Sequence, residues 1–416
     1  MSQSKCYYFD NNATTRVAPE VIEAMLPFLT EMWGNPSSAY SFGHKVAKHI
    51  DGAREKTAAL IHADPREILF TSCGTESINT ALNSALILHP GKRHVVTTAV
   101  EHSATLKFCE TIQKRGYEVT FLPVESDGSL DLHLLEKSIR PDTAIVSMML
   151  ANNETGVIFP IEEVAAICAS KGTLCHTDAV QTPGKLKLDV KAMGVDFLSL
   201  SAHKLHAPKG VGLLYVKKRT KFTPYLIGGH QERGRRGGTE NVASIVAFGR
   251  AAELAMTHLQ DENTRVRELR DRLERTVLRT IPNTARNGGN PRLPNTANIA
   301  FDFVEAEAIL MLLDQAGICA SSGSACTTGS LDPSHVLTAM GLSPMRARGS
   351  VRFSLGIYNT SEEIDYLLEQ LPKIISKLRA ISPLNAQHTD NDRYDVHGAR
   401  AKHQQELEKA QEEIAR

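Results

Sequence analysis

Apolar runs recur between about residues 60 and 220, each bounded by polar or turn-forming residues. They are Ile68–Thr71, His94–Thr98, Glu118–Pro123, Ala144–Ala151, Gly172–Asp178, Asp196–Ser201 and Gly212–Val216. Short continuous runs of this kind predict strands buried on both faces. Between several of them the apolar period becomes helical. In Glu76–Leu88, for example, Ala81, Leu82, Ala85 and Leu86 share a face. Strands separated by helices predict βαβ crossovers and an α/β fold around a mostly parallel sheet. In such sheets the ligand site lies beyond the carboxyl ends of the strands.

A long helix is predicted over Val242–Thr280, with Glu and Arg interleaved in its second half, bridging to a second unit. The Pro-, Gly- and Asn-rich stretch Asn283–Thr296 reads as a loop. Ala297–Phe303, Ala306–Ala316, Ser350–Leu355 and Ser361–Ala380 then read as strand, helix, strand, helix, a smaller α+β unit. The division expected is a large domain over 15–260 and a small one formed by 1–14 and 261–383. The polar segment 384–416 is expected to lack a core, with Ala399–Arg416 able to form a solvated helix.

Composition narrows the class. The 416 residues are 42% hydrophobic and 23% charged, ordinary for a globular protein with two or more domains. Lys plus Arg and Asp plus Glu are both 47, so net charge gives no reason to expect nucleic acid or an anionic membrane as partner. MSQSKCYYFD has no basic region followed by an apolar core, and no apolar stretch approaches the roughly 20 residues of a membrane span. A soluble, cytoplasmic protein is expected. The cysteines at 6, 73, 109, 168, 175, 319 and 326 are odd in number, scattered and without a C-x-x-C pair. Reduced thiols and no dedicated metal site are expected, with Cys168 and Cys175 as core residues.

The chemistry-bearing residues cluster at the predicted strand ends. Lys204, in Ser201-Ala202-His203-Lys204, follows one strand, where it can form a Schiff base with an aldehyde cofactor or be a surface lysine. Asp178 ends another strand, where a carboxylate can pair with a protonated pyridine nitrogen or cap a helix. Ser72-Cys73-Gly74-Thr75-Glu76 joins a strand to a helix, so its backbone N–H groups and the Thr75 hydroxyl can cradle a phosphate; the Gly-Lys-Thr of a P-loop is absent. His102 can stack on a cofactor ring and move protons, or be a structural histidine. The turn Asn152–Gly156 offers amide donors or turn chemistry alone. The loop Gly228–Thr239 either presents Thr239 to a phosphate or is a solvated charge run.

Cys326 lies in Ser321-Ser322-Gly323-Ser324-Ala325-Cys326-Thr327-Thr328-Gly329-Ser330, a segment without bulky anchors. A mobile loop is the natural expectation, and a thiolate on it can take a group from a pocket and carry it out. Arg352, between apolar neighbours, wants a carboxylate: either a substrate's α-carboxylate or a structural partner.

From about Tyr8 to Leu378 the chain resembles the class V, fold-type I pyridoxal-phosphate enzymes, and within them the cysteine desulfurases. Phe9–Thr15, His203–Gly210, Gly229–Arg236 and Ser321–Thr327 resemble the nitrogen-fixation (NifS-like) branch. The resemblance implies a seven-stranded large domain, pyridoxal 5'-phosphate and a homodimer. It makes Lys204 the covalent anchor of the cofactor, Asp178 the pyridinium partner, His102 the stacking acid–base residue and Gln181 the contact to the ring hydroxyl. Gly74, Thr75, Ser201 and His203 match phosphate contacts, and Thr239 matches one reaching the partner subunit's cofactor. Asn153, also a cofactor contact, and Arg352 match substrate-carboxylate binders. Cys326 matches the persulfide-forming nucleophile. The implied reaction turns L-cysteine into L-alanine and an enzyme persulfide, whose sulfur passes to an iron–sulfur scaffold, with nitrogenase cluster assembly the branch's association. The segment after Pro383 has no counterpart in this resemblance. Two competing readings are a class V aminotransferase or selenocysteine lyase, which needs no loop cysteine, and a non-catalytic sulfur-relay protein.

Overall fold

The computed structural model describes residues 6–322 and 333–382. A short strand β1 (Tyr7–Tyr8) comes first. Then follow β2 (Ile68–Thr71), β3 (His94–Thr98), β4 (Glu118–Leu122), β5 (Thr143–Met149), β6 (Leu174–Asp178), β7 (Phe197–Ser201) and β8 (Gly212–Val216). The second half adds β9 (Thr284–Arg286), β10 (Thr296–Phe301), β11 (Ile318–Cys319), β12 (Ser321–Ser322) and β13 (Ser350–Ser354).

Strands β2 to β8 form one seven-stranded sheet in the order β2-β8-β7-β6-β5-β3-β4. The pairs from β7 through β4 are parallel, and β8 runs antiparallel to both β7 and β2. The fold is therefore the α/β class expected, with one reversed strand inside the sheet. Helices Gly74–Leu88, Ser103–Gln113 and Ile161–Ser170 supply crossovers, and apolar clusters cover the sheet. The buried residues of β2, β3, β5, β7 and β8 are continuous, which is why these strands read as unbroken apolar runs.

A four-stranded antiparallel sheet, β12-β13-β10-β9, carries the smaller α+β unit. Its own core joins Ile299, Phe301, Val351 and Phe353 to Leu269, Leu273 and Val277 of helix Arg267–Thr280 and to Ile364, Leu367 and Leu371 of helix Ser361–Ile381. Parallel pairing of β1 with β11 and a bridge from Asp10 to Ser354 bring the N-terminal stretch into this unit.

Three stretches differ from the pattern-based expectation. β9 lies inside the Asn283–Thr296 stretch, because pairing with β10 compensates for poor strand propensity. The 20-residue helix Ser41–Leu60 is mostly polar, but it buries Val46, Ile50, Ala53 and Thr57 on a stripe against helix Val242–Asp261. There Gly249 permits the close approach: a Cβ would lie 2.7 Å from the Cα of Ala53. The long bridging helix is interrupted by a π-turn at Glu262–Val266. Among the described residues, no helix is long and apolar enough to cross a membrane.

Candidate active site

The carboxyl ends of four parallel strands and the turn after β2 converge on a cavity of about 350 Å³. β2 leads through Ser72 and Cys73 into helix Gly74–Leu88, so Gly74 and Thr75 sit at that helix's N-terminus, where N–H groups lack intrahelical partners. β3 leads to His102, β5 to Asn153, β6 ends on Asp178, and β7 runs through Ser201 into a 3₁₀ turn, Ala202–Lys204. Gln181 follows one turn beyond Asp178, and Arg352 reaches in from β13 of the smaller sheet. Ten expected site residues line this cavity: Gly74, Thr75, His102, Asn153, Asp178, Gln181, Ser201, His203, Lys204 and Arg352.

Residues 10–15 brace the site, although no local pattern of apolar and polar positions marks them. The Asn12 carbonyl accepts from Lys204 Nζ at 2.5 Å and from Gln181 Nε2 at 3.0 Å, while the Ala13 carbonyl accepts from Lys204 Nζ at 2.8 Å. Asn12 Nδ2 donates to the Asn153 carbonyl and to Thr296 Oγ1. Thr15 donates through its N–H and hydroxyl to the His203 carbonyl. Only the run Phe9–Thr15, otherwise just a family-like string, signalled this clamp.

Electrostatics follow burial. Asp178 is 7% exposed; desolvation pushes its carboxyl upward, while His102 and Lys204 draw it back. Its Oδ1 accepts from the Val180 N–H at 2.9 Å. His102 caps helix Ser103–Gln113, its Nδ1 accepting from the Ala104 N–H at 3.1 Å, as a neutral ring does. Burial lowers its pKa, against the pull of Asp178. Burial and the nearby Lys204 and Lys209 hold His203 down at about 4. At the preceding residue, burial raises Glu101 to about 8, although its Oε1 accepts from Thr98 Oγ1 and the Met149 N–H. Arg352 donates to Asp10 Oδ1 at 2.6 Å and to the Asn153 carbonyl at 3.0 Å. Both a salt bridge and a place on the cavity wall thus apply to this arginine.

The cavity suits a pyridoxal-phosphate group. Gln181 Oε1 is buried without a hydrogen-bond partner, which a ring hydroxyl would satisfy. Asp178 is a buried carboxylate facing the cavity, which a protonated pyridine nitrogen would neutralise. The phosphate end matches the helix start at Gly74, where a Cβ would meet Val180 Cγ2 at 2.9 Å. Glu76 at that helix start is paired with Arg236 at 3.0 Å, so its charge is offset.

Thr239 is not brought to this cavity. It lines a neighbouring hollow of about 200 Å³ with Ser72, Glu232 and Arg236. The surrounding loop is no solvated charge run: Glu232 is buried and accepts from Arg54 at 2.6 and 2.8 Å. Cys326 and the segment 384–416 lie outside the described residues.

Residues 7–367 match the family described as Aminotransferase class-V. The chain is 54% identical over 377 residues to a cysteine desulfurase from Nostoc sp., covering 90% of this chain and 94% of that one. It is 53% identical over 378 residues to cysteine desulfurase NifS of Azotobacter vinelandii, with 90% and 94% covered. Among solved structures, a NifS-like protein shares 40% identity at a TM-score of 0.85, covering 90% of this chain and all of the other. A structure titled SspA in complex with cysteine shares 35% at 0.76, covering 85% and 99%. The chain therefore belongs to the class V aminotransferase family and, within it, to the NifS-like cysteine desulfurases of fold-type I.

Proposed function

We propose that this chain removes sulfur from L-cysteine, releasing L-alanine and leaving a persulfide on Cys326. The observation that carries the reading is the single cavity shared by Lys204, Asp178, His102, Gln181 and Arg352. Identity above 50% to proteins named cysteine desulfurase, and a solved relative titled with bound cysteine, support it.

Each residue then has a task. Lys204 anchors the cofactor, and its amine takes the proton from the substrate's Cα. Asp178 keeps the pyridine nitrogen protonated, Gln181 holds the ring hydroxyl, and His102 covers the ring. Gly74, Thr75, Ser201 and His203 hold the phosphate. Arg352 and Asn153 bind the substrate carboxylate, with Asp10 fixing the guanidinium. Pyridoxal phosphate, when bound, supplies the electron sink that makes the Cα proton removable. The Cys326 thiolate attacks the substrate sulfur.

Cys326→Ala should abolish alanine and sulfide formation and leave the cofactor's visible absorbance in place. Lys204→Ala should lose the borohydride-fixed cofactor adduct. Normal turnover by the first variant, or stoichiometric fixation in the second, would overturn the assignment. An aminotransferase would instead consume a keto acid and tolerate loss of Cys326.

The finer reading is a cytoplasmic homodimer in which Thr239 reaches the partner subunit's cofactor. An iron–sulfur scaffold would receive the sulfur, for nitrogenase cluster assembly, as the resemblance to the nitrogen-fixation branch implies. The domains would be 15–260 and 1–14 with 261–383; a separate apolar core joining Phe9 to residues between Val266 and Ile375 supports this, while Val336, Leu337, Met340 and Ala347 pack into the large unit's core. Persulfide transfer to candidate scaffold proteins, followed by mass spectrometry, tests the acceptor.

A further inference from the structure

Cys6 and Cys319 bring their sulfurs to 3.6 Å across 313 residues of sequence. The backbone enforces this meeting. β1 and β11 pair in parallel, with the Tyr7 N–H donating to the Gly317 carbonyl and the Phe9 N–H to the Cys319 carbonyl, both at 2.8 Å. Tyr7 is stacked on Tyr366 at 4.5 Å, and the Tyr8 hydroxyl donates to the Thr14 carbonyl at 2.9 Å. Strand β1, which begins one residue after Cys6, is therefore held by backbone and side-chain contacts that place Cys6 beside Cys319. Cys6 is exposed and Cys319 half-buried, whereas Cys109, Cys168 and Cys175 are buried. Nothing in the desulfurase reaction uses this pair.

We infer that Cys6 and Cys319 form a dithiol site that discharges persulfide sulfur as hydrogen sulfide and closes to a disulfide. This rests on the desulfurase reading, because the oxidant is the sulfane sulfur that the reaction generates. Exposed Cys6 meets the donor first: its sulfur attacks the outer sulfur of a persulfide, the donor S–S bond breaks, and the donor leaves as a thiol. Cys6 now carries –S–SH. Cys319 then attacks the inner sulfur of that group. The S–S bond to the outer sulfur breaks, and the outer sulfur leaves with the Cys319 proton and its own as H₂S. Two thiols have lost two electrons, and one sulfane sulfur has gained them. Burial, with Cys6 adjacent, holds the Cys319 thiol up at about 11, which leaves it little thiolate and so confines it to the second, intramolecular step. There proximity replaces thiolate fraction as the source of rate. The product would lock β1 to β11, three residues before β12 ends at Ser322.

The test uses the reduced holoenzyme, held without oxygen and with no thiol other than L-cysteine supplied stoichiometrically as substrate. One portion receives L-cysteine, one receives glutathione persulfide, and one receives neither; free thiols are then alkylated and peptides read by mass spectrometry. The Cys6–Cys319 cross-linked peptide should rise by about tenfold or more with either sulfur source and vanish on reduction. It should be absent from Cys6→Ser and Cys319→Ser, which keep wild-type alanine formation. Alanine without the cross-link overturns the dithiol site. Absence of alanine sinks the desulfurase reading instead, and the glutathione persulfide portion still decides the pair: no cross-link there refutes it.

Discussion

Arg352 and Asp10, 342 residues apart in sequence, are joined by a 2.6 Å charge-assisted hydrogen bond at the rim of the cavity. The bond fixes one edge of the guanidinium, while Arg352 Nε stays buried without a hydrogen-bond partner. Asp10→Asn keeps the shape and removes the charge. Losing a charge-assisted bond of about 2 kcal/mol should raise KM for L-cysteine roughly 10- to 30-fold, with a smaller change in kcat. Steady-state kinetics with the cofactor spectrum as control measures this.

Asp178 is a buried carboxylate that His102 and Lys204 offset only in part, so desolvation still dominates until the cofactor brings its own cation. Asp178→Asn should stabilise the apoprotein by about 1 kcal/mol, because a costly buried charge is gone. It should weaken pyridoxal-phosphate affinity by about tenfold or more. Thermal melts of apo and loaded protein separate the two effects. An unchanged melting shift on adding cofactor would contradict the pairing.

Glu101 is fully buried, and desolvation raises it to about 8. The folded chain thus holds a proton that the unfolded chain releases near the ordinary carboxyl range. Stability from this proton is complete at low pH and drains away as pH rises towards 8. Glu101→Gln mimics the protonated acid. Relative to it, the parent protein should lose on the order of 2 kcal/mol between about pH 5 and pH 8. Parallel unfolding curves in denaturant at several pH values give the answer; identical pH slopes would show that Glu101 is not protonated in the fold.

Glu232 holds Arg54 bidentately and also accepts from the Phe70 N–H at 3.0 Å, so it ties the Gly-rich loop to β2. Glu232→Ala leaves a buried guanidinium unpaired and should cost about 3–5 kcal/mol. The double variant Arg54→Met with Glu232→Leu should recover much of that loss. Denaturant midpoints test both, and a double variant no better than the single one would count against an unpaired charge as the cause.

Strands β2, β3, β5, β7 and β8 were legible because both faces of their sheet are buried, so each reads as a run without Lys, Arg, Asp or Glu, whereas β4 at the sheet edge is mostly half-exposed. The 3.6-residue period did the same for helix Gly74–Leu88. Helix Ser41–Leu60 was not legible, since its buried stripe is thin and diluted by His, Lys and Arg. The reversed direction of β8 was equally invisible: an apolar run carries no polarity. In the site, strand ends marked Asp178 and Lys204, because connectivity alone puts those positions at the carboxyl edge.

Sequence by itself thus determined which strands exist, where they end and which reactive side chains stand there, because periodicity and chain order are local properties. Only the tertiary structure decided that the Asn12 and Ala13 carbonyls hold Lys204 and that Asp10 meets Arg352. It also decided that Thr239 lines a separate hollow and that Cys6 faces Cys319. Apart from the Thr239 hollow, those contacts join residues about 190 to 340 positions apart, and no local pattern encodes a partner that packing brings from the far end of the chain.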